Sequence, residues 1–81
     1  MRIRIETSDT VIEARVRRDS IWRTSLRLFH DNLAPNSKWL GKLTRIDRRD
    51  HGCDYSSPGE YLVSYIHPES QHAIHGTVTV R

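Results

Sequence analysis

Short segments that alternate apolar and polar residues, broken by a single stretch of helical period, constrain this chain more than anything else in it. Residues 1–18, MRIRIETSDTVIEARVRR, alternate with period two, the pattern of strands with one buried face. Pairing them about a Ser8-Asp9 turn sets Ile5 opposite Ile12, Ile3 opposite Ala14 and Met1 opposite Val16. The same register faces Arg4 to Glu13 and Arg2 to Arg15 on the other side. One side of the hairpin is then apolar and the other charged, as an antiparallel sheet with one wet face requires. Ser-Asp is not a favoured two-residue hairpin loop, so a longer turn is the alternative.

The period changes at residues 20–33, SIWRTSLRLFHDNL. Trp22, Leu26, Phe29 and Leu33 fall on one helical stripe, with Ile3, Ile5, Ile12 and Val16 expected against it. Asp19 or Ser20 can cap the helix, and Pro35 ends it by disfavouring helical geometry at Ala34. Arg23, Arg27 and Asp31 lie along a different, solvated face. Beyond it, residues 42–48 read as a strand, with Trp39-Leu40-Gly41 as a turn feeding it. A polar stretch from Asp50 to Gly59 is rich in turn formers. EYLVSYIH (60–67) and AIHGTVTV (73–80) alternate about a Pro68–Gln71 loop, pairing Tyr65 with Ile74, Val63 with Gly76 and Tyr61 with Val78. Gly76 within a strand signals a bulge or a bulky neighbour. The expected fold is α+β, ββαβββ, with one helix packed on an antiparallel sheet.

At 81 residues the chain reads as a single domain, 1–81, without linker, repeat or low-complexity tract. No apolar run approaches the ~18 residues of a membrane-spanning helix, and no signal-peptide pattern is present. Its one cysteine, Cys53, cannot form an intramolecular disulfide. A small secreted domain would need such staples, so a cytoplasmic setting is expected.

Residues that carry chemistry are present but poorly spaced for it. His51, His67, His72 and His75, with Cys53 and Asp54, include every ligand type zinc uses. There is no Cys-x-x-Cys pair, and strand alternation sends His72 and His75 to opposite faces; no metal and no cofactor are expected. His75-Gly76-Thr77 matches the His-x-Thr repeat of two-histidine phosphodiesterases, but that chemistry needs two copies facing one cleft. Cys53 has His51 and Asp54 beside it in sequence, yet no second acidic or oxyanion element. With no phosphate-binding loop or paired-carboxylate motif either, a non-catalytic protein is expected.

The basic residues are the most informative feature. Thirteen Lys+Arg against ten Asp+Glu give a net charge of +3, and eleven of the thirteen are arginine. Guanidinium is a planar fork suited to bidentate capture of carboxylate or phosphate, whereas ammonium is a point charge. Arg2, Arg4, Arg15 and Arg17 are expected on the wet face of the first hairpin, with Arg48 and Arg49 forming a second cluster. These six are the candidate partner-binding residues. The expected partner is a protein or a ribonucleoprotein complex, occluded sterically by arginine–carboxylate pairs around an apolar anchor. Phage and mobile-element inhibitors, anti-CRISPR proteins among them, offer an analogy of size and composition. The alternative is a nonspecific RNA- or DNA-binding accessory protein using the arginine face. Against it, the aromatics are committed elsewhere and acidic residues interrupt the positive field. A third reading is a homodimer joined through an unpaired sheet edge.

Overall fold

The computed structural model describes all 81 residues. Strands β1 (Arg2–Glu6) and β2 (Val11–Arg15) are followed by a 3₁₀ turn (Arg18–Ser20) and helix α1 (Ile21–Leu33). Strands β3 (Lys42–Arg48), β4 (Gly59–Ile66) and β5 (Ala73–Val80) complete the chain. The ββαβββ order and the α+β class are as the sequence pattern implies. All five strands lie in one antiparallel sheet of order β2-β1-β5-β4-β3. No helix is long and apolar enough to cross a membrane.

The first hairpin takes the register that its alternation dictates, including Arg2 opposite Arg15 and Ile5 opposite Ile12. Its turn has two residues after all: the Thr7 amide donates to the Thr10 carbonyl at 2.9 Å. Asp9 supports this turn, its carboxylate accepting from the Thr7 and Thr10 hydroxyls at 3.3 Å each. The β4–β5 register also agrees, with Tyr65 opposite Ile74, Val63 opposite Gly76 and Tyr61 opposite Val78.

Strand order explains the helix. β2 and β3 are the two edges of the sheet, so the chain must cross its full width between them. Four strand spacings make about 19 Å. The thirteen residues of α1 rise about 20 Å. The helix covers one face of the sheet and leaves the other open.

The helix does not sit as the expected stripe predicts. Its buried residues are Ile21, Ser25, Phe29 and His30, whereas Trp22, Leu26 and Leu33 flank this line and are only partly buried. Ile12 is likewise partly buried, while Ile3, Ile5 and Val16 belong to the core. The reason is Ser25. A stripe drawn through the bulkiest side chains passes it over, but its hydroxyl donates to the Ile21 carbonyl at 2.7 Å and so needs no water. The small side chain then lets the helix approach the sheet. The expected cap is also absent: Ser20 makes no side-chain bond into α1, its hydroxyl donating instead to the Arg17 carbonyl.

Two glycines set close approaches in the core. Gly76 supplies room for a neighbour rather than a bulge: a Cβ there would lie 3.3 Å from the Phe29 ring and 2.9 Å from the Glu6 carbonyl oxygen. Phe29 in turn stacks on Tyr65, centroids 5.7 Å apart. At Gly41 a Cβ would overlap the Tyr65 ring outright, so the α1–β3 loop passes over that ring only because it has no side chain there.

Candidate interaction surface

Alternation divides each strand between two environments. Toward α1 point Ile3, Ile5, Tyr61, Val63, Tyr65, Val78 and Val80, all buried. The other face carries the polar half of every strand and is covered by nothing in the molecule. Cross-strand register arranges it in rows. One row runs Val11–Glu6–Thr77–Leu62–Asp47, and another Glu13–Arg4–Thr79–Glu60. In these rows acids lie near most of the arginines. Arg4 pairs with Glu6 at 2.9 Å, Arg49 with Glu60 at 2.9 Å, and Arg45 with Asp47.

The end row is different. Arg2 lies opposite Arg15, and on its other side exchanges both backbone hydrogen bonds with Arg81, at 2.9 and 2.8 Å. Three guanidiniums from three adjacent strand positions thus share one end of the open face, and none of them makes an ion pair. Together with Arg4, Glu13 and Thr79 they line a recess of about 430 Å³. Like charges directly opposite one another in a sheet are destabilising. The one carboxylate in the recess, Glu13, forms an ion pair with none of them.

The structure therefore regroups the six arginines singled out by sequence. Arg2, Arg4 and Arg15 come together. Arg49 is on the same face but farther across and paired. Arg17 leads into the 3₁₀ turn and lies 3.8 Å from Asp19. Arg48 is on the helix side, opposite Tyr61, and its guanidinium is spent within the molecule. It donates to Asp50 (2.6 Å), Ser57 Oγ (2.6 Å), the Tyr61 hydroxyl (2.8 Å) and the carbonyls of Asp54 (2.8 Å) and Pro58 (3.0 Å). This side chain ties the 49–58 loop to the sheet. The Arg48 hydrogen bond, then the Gly52 amide, hold the Asp50 carboxyl below the usual carboxylate range. The Ser56 amide and hydroxyl do the same for Asp54.

Arg81 was not among the sequence candidates. Alternation along β5 places it on the face of Thr77 and Thr79, but its neighbours follow only from β5 pairing with β1, a long-range contact that local pattern does not encode.

Elsewhere on the open face Ser64 Oγ and His75 Nδ1 lie 2.9 Å apart. No carboxylate is within 4.0 Å of His75 to orient it. Ser64 is buried in a central strand, where the pair acts as an ordinary cross-strand hydrogen bond. His67 and His72 flank the neck of the last hairpin and are joined by backbone alone, the His67 amide donating to the His72 carbonyl at 3.0 Å. No three His, Cys, Asp or Glu side chains converge in a geometry that could hold a metal ion, and Cys53 is exposed.

Fold and surface together define an α+β domain with a single helix layer, an open sheet face and a basic row at one end of it. Comparison with protein-family models, with curated proteins and with solved structures finds no match to this chain.

Proposed function

We propose that this protein is a non-catalytic binding protein that covers an acidic surface of a protein partner with the open face of its sheet. The observation that carries this reading is the row Arg15–Arg2–Arg81, three adjacent guanidiniums without an ion pair. A partner carboxylate would relieve their mutual repulsion and accept bidentate hydrogen bonds. Carboxylates suit the basic row better than nucleic acid because no aromatic side chain lines its recess for bases to stack upon, Tyr55 standing at the far, β3 edge of the sheet. Trp22, Phe29, Tyr61 and Tyr65 all pack on the helix side.

The test is affinity capture from the native host, comparing the wild-type chain with an Arg2→Glu/Arg15→Glu variant. Both positions are exposed, so circular dichroism should show the fold intact. One stoichiometric protein, retained in moderate salt and lost by the variant, is the expected result. A partner captured equally well by both would overturn the assignment of the face. Steeply salt-dependent binding to generic DNA or RNA, lost in the variant, would favour the nucleic-acid reading instead.

A further inference from the structure

A second surface lies on the opposite side of the molecule, where α1 meets the 34–41 loop. Trp39 is 72% exposed and Leu40 46% exposed. They are not loose residues on a floppy segment. The Ser37 amide donates to the Ala34 carbonyl at 3.1 Å, and the Trp39 amide to Ser37 Oγ at 3.3 Å. Two residues on, Gly41 is buried against Tyr65. The loop is thus fixed at both ends while holding two large apolar side chains in water.

Leu40 and the partly buried Leu26 line a groove of about 470 Å³, with Arg23, Thr24 and Arg27 as its remaining walls. Arg23 and Arg27 are one helical turn apart, so their guanidiniums flank the same stretch of groove. Neither makes an ion pair, and neither does Lys38 beside Trp39. An aliphatic floor with unpaired arginines at the rim, and an exposed tryptophan next to Leu40 in the chain though not lining the groove, match the composition of an energetically dominant binding patch.

We propose that this groove docks an acidic peptide segment of a partner protein, with one aliphatic side chain seated between Leu26 and Leu40 and carboxylates on Arg23 and Arg27. Charge complementarity names the occupant. The cations exclude a basic segment, and the groove itself is lined by leucine, threonine and arginine, which seats an aliphatic side chain rather than a base. The concave shape accepts a protruding side chain better than a flat lipid surface. The assignment is independent of the open sheet face, sharing no residue with it.

The probe is a capped peptide of about ten residues, made of Glu and Asp with two leucines at i and i+4 spacing and no aromatic residue. Its control replaces both leucines by serine. Binding is followed by the indole N–H resonances of the full chain. Trp22 Nε1 is held by the Tyr55 carbonyl at 2.7 Å, so its signal should stay while that of Trp39 moves.

Arg23→Glu/Arg27→Glu and, separately, Leu40→Ser should each weaken binding by about tenfold or more. The Arg2→Glu/Arg15→Glu variant should bind as the wild type does. No Trp39 shift at millimolar peptide would overturn the proposal. So would equal binding of the serine control, or a tighter response to anionic phosphatidylserine vesicles or oligothymidylate. Sedimentation showing a dimer that buries Trp39 would assign the groove to a second copy and likewise sink it.

Discussion

Phe29 makes the sharpest case at the level of single residues. It is buried, stacks on Tyr65 and fills the space that Gly76 leaves. Phe29→Ala should cost about 3–5 kcal/mol in chemical denaturation, because the surrounding strands cannot collapse into the gap. Tyr65 behaves differently. Its ring is fully buried, and its hydroxyl makes no hydrogen bond of normal geometry. Burial pushes the phenol pKa up, and the nearby Gly41 amide offsets only part of this. A phenol harder to ionise in the folded state than in the unfolded one leaves stability intact below the ordinary value of 10.0. Above that value the unfolded chain loses its proton first, so stability falls as pH rises. Tyr65→Phe should therefore change stability by under about 1 kcal/mol at neutral pH, since no partner is lost. It should also blunt the alkaline loss above about pH 10, measured as denaturation midpoints across pH. Of these details, the room at Gly76 was legible in the sequence, because glycine inside an alternating strand has few other uses. Gly41 was not, since its role depends on a tertiary neighbour.

The 49–58 loop illustrates what an element can hide. By composition it is a string of turn formers, yet it is among the most heavily bonded segments of the molecule. Arg48 grips it from the sheet, Trp22 donates to it from the helix, and Tyr61 donates to the Ser57 carbonyl at 2.5 Å. Arg48→Lys should not preserve this loop, because an ammonium cannot reach five acceptors spread around a planar fork. Limited proteolysis should show cleavage at 49–58 rising sharply in the variant while the hairpins stay protected. Acid should loosen the same segment. Asp50 and Asp54 have pKa values depressed by folding, so their contribution is present above the ordinary carboxylate value of 3.8 and fades as pH falls through the lowered ones. Amide exchange in the loop should accelerate below about pH 4, ahead of the sheet. The β1–β2 and β4–β5 registers are readable from the sequence because a one-residue slip would turn every apolar side chain to water, whereas the shifted β3–β4 register is not. Phe29 is buried as the helical stripe implies, but one turn and two turns before it Ser25 and Ile21 are buried in place of Leu26 and Trp22, because a self-satisfied serine can lie where a pattern drawn by size places larger residues.

At the scale of the whole molecule, charge is distributed rather than concentrated. Six of the basic side chains are absorbed by ion pairs, and the free ones other than Lys42 gather at the end of the sheet face and around the Leu26–Leu40 groove. Sequence alone groups Arg48 with the surface cations and omits Arg81: the 49–58 loop folded over Tyr61 claims the first, and the pairing of β1 with β5 places the second. Alternation gives each strand its two faces, but not which strands are neighbours. That β1 pairs with β5 is a choice among topologies that the local pattern leaves equal. The element types and the apolar face were within reach of the sequence, whereas the row of three arginines was not.

Strand order has one more consequence, for assembly in time. The middle strand of the sheet, β5, is also the last of the five along the chain. Before it is in place, the β1–β2 hairpin and strands β3 and β4 share no backbone ladder. Each of those pairs has one apolar face and only the helix to cover it, and isolated two-stranded ribbons are marginal in water. β5 is the keystone that converts two ribbons into one sheet, through contacts spanning nearly the whole chain. During synthesis the four earlier strands must wait, edges unpaired, until β5 emerges from the ribosome. The facing edges of β1 and β4 stay open until β5 fills the gap between them, and open strand edges are templates for pairing between copies.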